Sequence, residues 1–401
     1  MMTATVLQRV GASRAYLAGF GLFAVGSLVC AIAPVMPIML VGRGFQGLGA
    51  GLLTGLGFAL IQSTLPPSLW SRGSAVVSAM FGLGNFVGPA VGGALAQIGQ
   101  WRWAFAALAV SAIALGAVAV RLLRAERVPA ETTKSRVPVV SLSLAVAAVG
   151  AMSVASLADA PIVTALSVGA AALLMVGFVF VESRSRVRVL PPSTYAAASA
   201  MRWVYLTIAL LASAVAVETF LPLFGQQLGN LPPLAAGFYG AALSLGWAVA
   251  QIWSASARGR GVGFVTLAGP AVLALGLATL AALVAPDASG PLLAGWLIAL
   301  VVAGAGIGIA MPHLTVGAMS IAADPAEAQQ AAASVAIVLT LATATGSAVA
   351  GLLFNIGHPD LAASARYLFV GFAGITALGV LTAIRLTSRA TERSVPTPPH
   401  S

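Results

Sequence analysis

Charge is the scarcest commodity in this 401-residue chain: only 7% of its residues are Asp, Glu, Lys or Arg. A soluble globular protein carries roughly 25%. That deficit excludes an ordinary soluble domain and a disordered chain. There is one cysteine, Cys30, inside an apolar run, so no internal disulfide and no cysteine-based metal site can form. There is one lysine, Lys134, against nineteen arginines. The 44 glycines and 22 prolines follow no strict repeat, which excludes a collagen-like chain. No Gly-x-Ser-x-Gly elbow, phosphate loop with lysine or paired intramembrane acid is present, so no catalytic set is expected, and no metal or other cofactor.

What the chain has is apolar length: 59% hydrophobic residues and a mean hydropathy of +1.00. A helix crosses a bilayer in about 20 apolar residues. Twelve such runs are predicted, at 16–34, 37–62, 74–97, 103–123, 138–158, 162–181, 203–224, 234–257, 263–285, 291–312, 329–353 and 366–386. They are too long for barrel strands and lack alternation. The first has a core too long for a secretory signal and is read as a retained helix. The expected class is an all-α membrane protein.

The net charge of +10 lies in the gaps between runs, so it reads as topology rather than as a nucleic-acid face. With the N-terminus placed in the cytoplasm, seventeen Lys and Arg residues fall inside and two, Arg102 and Arg366, outside. Both termini are therefore expected to be cytoplasmic, with the chain multi-pass in the cell inner (cytoplasmic) membrane.

Few ionisable groups remain within the runs. Arg43 and Glu218 each sit six residues from the outer end of their predicted spans, about 9 Å deep at 1.5 Å per residue. A charge at the bilayer centre is costly and usually faces water or a partner. Arg43 has a structural or snorkelling reading beside the functional one. Glu218, a lone carboxylate in an apolar run, is the candidate for reversible protonation. His313 lies near the cytoplasmic end of the tenth span and reads first as a helix-end residue.

Glycines mark packing faces. Gly84, Gly88 and Gly92 recur every four residues in the third span beside Asn85, and Pro89 removes a backbone donor there, predicting a kink. The second span carries Gly47, Gly51 and Gly55 beside Gln46; the tenth carries Gly304 and Gly308.

These motifs resemble the major facilitator superfamily, in particular its fourteen-helix drug:proton antiporter group. Gly42-Arg43-Gly44-Phe45-Gln46-Gly47 is similar to the fourth-helix motif, Gly84 through Gly93 to the antiporter motif of the fifth helix, and Trp101-Arg102-Trp103-Ala104-Phe105 to the opening of the sixth. Glu218-Thr219-Phe220-Leu221-Pro222-Leu223 with Gln226 resembles the first helix of the C-terminal half. On this alignment family helices 1 and 2 are absent, leaving an incomplete N-terminal half. Gln8 stands where the loop between family helices 2 and 3 normally has Asp, and Arg43 loses an acidic partner that the first helix often supplies. A start site placed downstream of the true one and a shortened paralogue both account for this; the DNA upstream of Met1 distinguishes them.

The resemblance implies twelve helices in two bundles: an N-terminal bundle at 1–123, basic loops with two inserted helices at 124–202, and a C-terminal six-helix bundle with a short tail at 203–401. It implies proton-coupled efflux of small amphipathic or cationic compounds, with metabolite uptake or a non-transporting remnant as alternatives. The expected partners are a small-molecule substrate, protons and the lipid bilayer, with no nucleic acid. Glu218 and Arg43 would serve coupling. Gln46, Gly84, Asn85, Gly88, Pro89, Gly92, Gln226 and His313 would line the cavity or gate it.

Overall fold

The computed structural model describes residues 12–64, 80, 84, 87–123, 138–158, 160–196, 199–322 and 324–394. Among them no strand occurs. The helices are α1 (Ala12–Ile32), α2 (Met36–Thr64), α3 (Arg102–Leu123), α4 (Val139–Leu157), α5 (Pro161–Arg184), α6 (Met201–Ser213), α7 (Leu221–Gln227), α8 (Pro233–Ser254), α9 (Arg260–Leu283), α10 (Gly290–Ile321), α11 (Pro325–Gly357) and α12 (Leu361–Ser394). Residues 87–97 are also helical. Ten segments among the described residues are long and apolar enough to cross a bilayer, α6 and α7 counting together as Met201–Gln227. The helix of the second predicted span, α2, is not among those ten. The third predicted span, 74–97, lies partly outside the described residues.

The chain divides into two units, 1–137 and 138–401. In the first, α1 packs between α2 and α3. In the second, α9 packs in the same way between α10 and α12. Arginine ties each trio at one end. Arg102, opening α3, donates to the Ala33 carbonyl just past α1 (3.1 Å), and Arg366, near the start of α12, donates to the Val284 carbonyl just past α9 (2.9 Å). The two arginines predicted to lie outside therefore close helix ends, satisfying carbonyls that a helix terminus leaves open.

Glycine sets the helix spacing. A Cβ on Gly26 would lie 2.5 Å from the Gln46 amide nitrogen, and one on Gly49 would lie 2.7 Å from the Gly19 carbonyl oxygen, so α1 and α2 touch backbone to backbone. The sequence pointed to another face of α2: Gly47 and Gly51 have nothing within 4 Å among the described residues, and the packed stripe is Gly42, Gln46 and Gly49. A four-residue repeat shows that a face is bare but not that a neighbour uses it. For α10 the expected pair does pack. A Cβ on Gly304 would overlap the Leu243 carbonyl and one on Gly308 the Trp247 carbonyl, both on α8, while Gly306 meets α9 at Leu273 and Gly269.

Two helix starts follow capping chemistry. Asp324-Pro325-Ala326-Glu327 opens α11, with the Asp324 carboxylate accepting the Glu327 amide at 2.8 Å. Asp360 does the same for Ala362 at 2.9 Å. The expected spans at 203–224 and 291–312 need correction. The first is interrupted by a 3-10 helix, Ala214–Thr219, and runs on to Gln227; the second continues to Ile321.

Gly304→Ala and Gly246→Ala are each expected to destabilise the detergent-solubilised protein by about 1–3 kcal/mol, as overpacking does. Gly51→Ala, open on that side, is expected to leave the thermal midpoint unchanged or raised. Equal midpoints for the three variants would contradict the packing described.

Candidate functional site

Two polar clusters lie within the spans, one in each unit: one holds Arg43 with Gln46, the other Glu218. In the first unit, Gln46 of α2 is buried and reaches across to α1, its Nε2 donating to the Ser27 hydroxyl at 2.7 Å. Ser27 in turn donates to its own helix at Phe23 (2.7 Å). The Gln46 carbonyl oxygen is thereby turned toward Arg43, one helical turn earlier, whose Nη1 donates to it over a long 3.3 Å. The Arg43 guanidinium also lies 4.9 Å from the Phe105 ring centroid, on α3. Such a cation–π contact is worth roughly 0.5–2 kcal/mol depending on desolvation. Arg43 is thus held by an amide of its own helix and a ring on α3, with no acid beside it among the described residues, and it remains exposed within its unit. The Trp101–Phe105 motif also acquires physical content, since Arg102 closes α1 and Phe105 receives Arg43.

The glycine motif is described only in part. Gly84, Gly88 and Gly92 are helical, and no atom of the described residues lies within 4 Å of a Cβ placed on any of them. Pro89 is in the same helical stretch. Asn85, whose carbonyl Pro89 would free, lies outside the described residues.

In the second unit, Glu218 stands in the 3-10 helix between α6 and α7. The break has a local cause. Pro222 has no N–H, so the carbonyl of Glu218, four residues earlier, cannot receive its helical bond. It also has a tertiary cause: a Cβ on Gly346 of α11 would overlap the Ser213 carbonyl at the end of α6, so α11 lies directly against the start of the break. The Glu218 carboxylate accepts from the Ser244 hydroxyl of α8 at 2.7 Å, leaving it bound to a neutral donor. Its span runs nine residues further to Gln227, so it sits deeper than the six residues expected. Gln226, on the same broken span, is exposed and bonds only locally, to the Pro222 carbonyl at 3.2 Å. Phe220, two residues from Glu218, stacks on Phe354 of α11 with ring centroids 5.1 Å apart.

His313 is not part of this cluster. Its Nε2 lies 2.9 Å from both the carbonyl and the hydroxyl of Ser254, the last residue of α8. Ser254 is ten residues beyond Ser244 on α8, about 15 Å along the axis. Since α10 continues to Ile321, His313 is a mid-helix tie to α8 rather than a helix-end residue.

The sequence missed Ser27, Phe105 and Ser244, each an ordinary residue whose partner is on another helix. It also missed Glu182, which is fully buried at the end of α5 and accepts the backbone amides of Val189 and Leu190. In sequence it looks like part of a solvated basic loop; the available signal was a single acid among Arg184, Arg186 and Arg188. Near it, burial first and the Glu182 charge second hold the Tyr195 phenol well above its ordinary range, so Tyr195 stays neutral.

Gln46→Leu removes the acceptor for Arg43 and the donor to Ser27 at nearly constant volume. It is expected to destabilise the protein by about 1–3 kcal/mol, the cost of stranding buried polar groups. Adding Ser27→Ala is expected to cost less than the sum of the single changes, read from thermal midpoints in detergent.

Comparison with known proteins gives a consistent result. Residues 1–333 match the family described as Major Facilitator Superfamily. The chain is 46% identical over 394 residues to a protein of Mycobacterium tuberculosis named probable multidrug-efflux transporter, covering 96% of this chain and 83% of that one. It is 34% identical over 95 residues to multidrug resistance protein 3 of Bacillus subtilis, 24% of this chain and 19% of that one. Among solved structures, a POT family transporter bound to a thioalcohol-conjugated peptide superposes with a TM-score of 0.65 at 14% identity (98% of this chain, 85% of that one). A D-xylose–proton symporter gives 0.62 at 15% (96% and 82%). Those two likenesses concern the fold. The helical architecture, the family match over most of its length and the 46% identity to the mycobacterial relative establish that this chain is a multi-pass membrane protein of the major facilitator superfamily.

Proposed function

We propose that the protein exports small amphipathic or cationic compounds across the cytoplasmic membrane in exchange for protons, with both termini in the cytoplasm. The observation that carries this reading is Glu218, held on an interrupted span with its carboxylate accepting from the Ser244 hydroxyl of the neighbouring helix α8. Transporters place coupling groups on discontinuous helices because an unwound turn exposes backbone dipoles to a cavity. The name carried by the Mycobacterium tuberculosis relative supports the direction and the substrate class.

In this mechanism a proton and a cationic substrate compete for the Glu218 carboxylate. When Glu218 is ionised it attracts the cation; when protonated it is neutral and releases it. Ser244 keeps the carboxylate oriented in both states, because a hydroxyl can donate to the ion and accept from the acid. Arg43, presented by Gln46 and Phe105, biases the field in the first unit so that a bound cation does not rest there. The bare Gly84–Gly88–Gly92 face serves as a surface on which helices slide, with Pro89 as its flexible point. Asn85, Gln226 and His313 are assigned to the lining or the gate.

Glu218→Gln in proteoliposomes is expected to abolish export of the cationic dye ethidium driven by a pH gradient, and Ser244→Ala to reduce it while leaving dye binding measurable. Undiminished gradient-driven transport by Glu218→Gln would remove Glu218 from the mechanism.

A further inference from the structure

The helix pair α4–α5 has no part in the mechanism above, yet it is fastened to α11 at both ends. At one end of α4, the Ser156 carbonyl accepts from Asn355 Nδ2 of α11 at 2.5 Å, and a Cβ on Gly351 of α11 would lie 2.9 Å from Ser156 Cβ. At the other end the fastening runs through the linker that follows α5. The buried Glu182 carboxylate takes the amides of Val189 and Leu190 and so turns the chain back on itself. Arg188 tightens the turn by donating to the carbonyls of Ser185 (2.6 Å) and Ser183 (3.0 Å). The folded linker is then gripped by the first turns of α11. Ser334 donates to the Val189 carbonyl (2.7 Å), Gln330 donates to the Arg188 carbonyl (3.2 Å), and Glu327 accepts the Ser193 amide (2.9 Å).

The two fastenings are 21 residues apart on α11, from Ser334 to Asn355, or about 32 Å. That is the thickness of a bilayer's hydrocarbon core. Between them lie two of the points where α11 meets the Glu218 span: Gly346 against Ser213, and, just before Asn355, Phe354 on Phe220. A helix held at both ends by the same hairpin cannot slide along it or tilt from it without breaking the hydrogen bonds to the Val189, Arg188 and Ser156 carbonyls.

We propose that α4, α5 and the 185–196 linker move with α11 as one rigid body during transport, and that Glu182 is the positioning residue that closes this body at the linker end. The hairpin then acts as a beam that stiffens α11 where it bears on the break carrying Glu218. The proposal rests on the transport reading given above.

The test uses the full chain with Cys30→Ala, so that no other thiol is present. Ser156→Cys with Gly351→Cys is expected to oxidise readily, and the cross-linked protein is expected to export ethidium from proteoliposomes as well as the reduced form. A loss of transport on oxidation that reductant restores would overturn the proposal, because it would mean that the hairpin must move against α11. Glu182→Ala is expected to lower transport several-fold by releasing the linker. A second disulfide, from Val189→Cys with Ser334→Cys, is expected to rescue it, an outcome that a merely misfolded variant would not give; failure of rescue in a protein with wild-type thermal midpoint overturns the role of Glu182. Should neither oxidised nor reduced protein move ethidium, the transport reading has failed instead. Spin labels at Leu173 on α5 and Ala336 on α11 then decide the rigid body alone: an unchanged distance distribution between acidic and neutral pH supports it, and a shifted or split distribution overturns it.

Discussion

Apolar side chains gain little by leaving lipid for one another, so helices in a bilayer are held by close backbone approach and by the few polar groups left inside. Both resources are used sparingly here. Gly26, Gly42 and Gly49 bring α1 onto α2, and Gly269, Gly276 and Gly306 bring α9 onto α10. In each unit the same trio is then closed by one arginine on a carbonyl at a helix end, Arg102 on Ala33 and Arg366 on Val284. The recurrence is what a duplicated helical half would leave behind. It accounts for the two arginines that stand apart from the loop charges: they are used to finish helices.

Close packing leaves little freedom, and the place where freedom is restored is the span holding Glu218. Its helix is interrupted because Pro222 withholds a donor and because the backbone of α11 presses on Ser213. Proline alone does not break these helices. Pro270 lies inside α9 and Pro312 inside α10, both continuous. The difference lies in what packs at the site, so the position of the carboxylate on a 3-10 turn depends on α11. On the proposed mechanism, anything that shifts α11 also shifts the coupling group, which gives the hairpin clamped to that helix a mechanical consequence.

Most of the architecture was legible because lipid imposes a strong rule: about 20 apolar residues without charge must be helical, since nothing else satisfies the backbone. The approximate positions of most of the described helices follow from that one-dimensional pattern, though not the limits of the spans expected at 203–224 and 291–312. The sites were legible only in part. Arg43, Gln46 and Glu218 stood out as polar residues in apolar runs, whereas their partners Phe105, Ser27 and Ser244 did not, because a serine or a phenylalanine in a span is unremarked until another helix brings its counterpart to it. Glu182 was hidden for the opposite reason: among arginines at a helix end it reads as solvated, and only the folding back of residues 185–191 buries it.

The sequence by itself determined that this chain lives in a membrane, roughly where most of its described helices run and which rare polar residues lie within them, because those properties depend on composition over a window of neighbours. Tertiary structure alone decided which glycine face packs, that the Glu218 span is broken rather than continuous, that His313 ties α10 to α8, and that Glu182 is a buried clamp. Each of these depends on an atom supplied by a distant part of the chain, and no local pattern carries that atom's position.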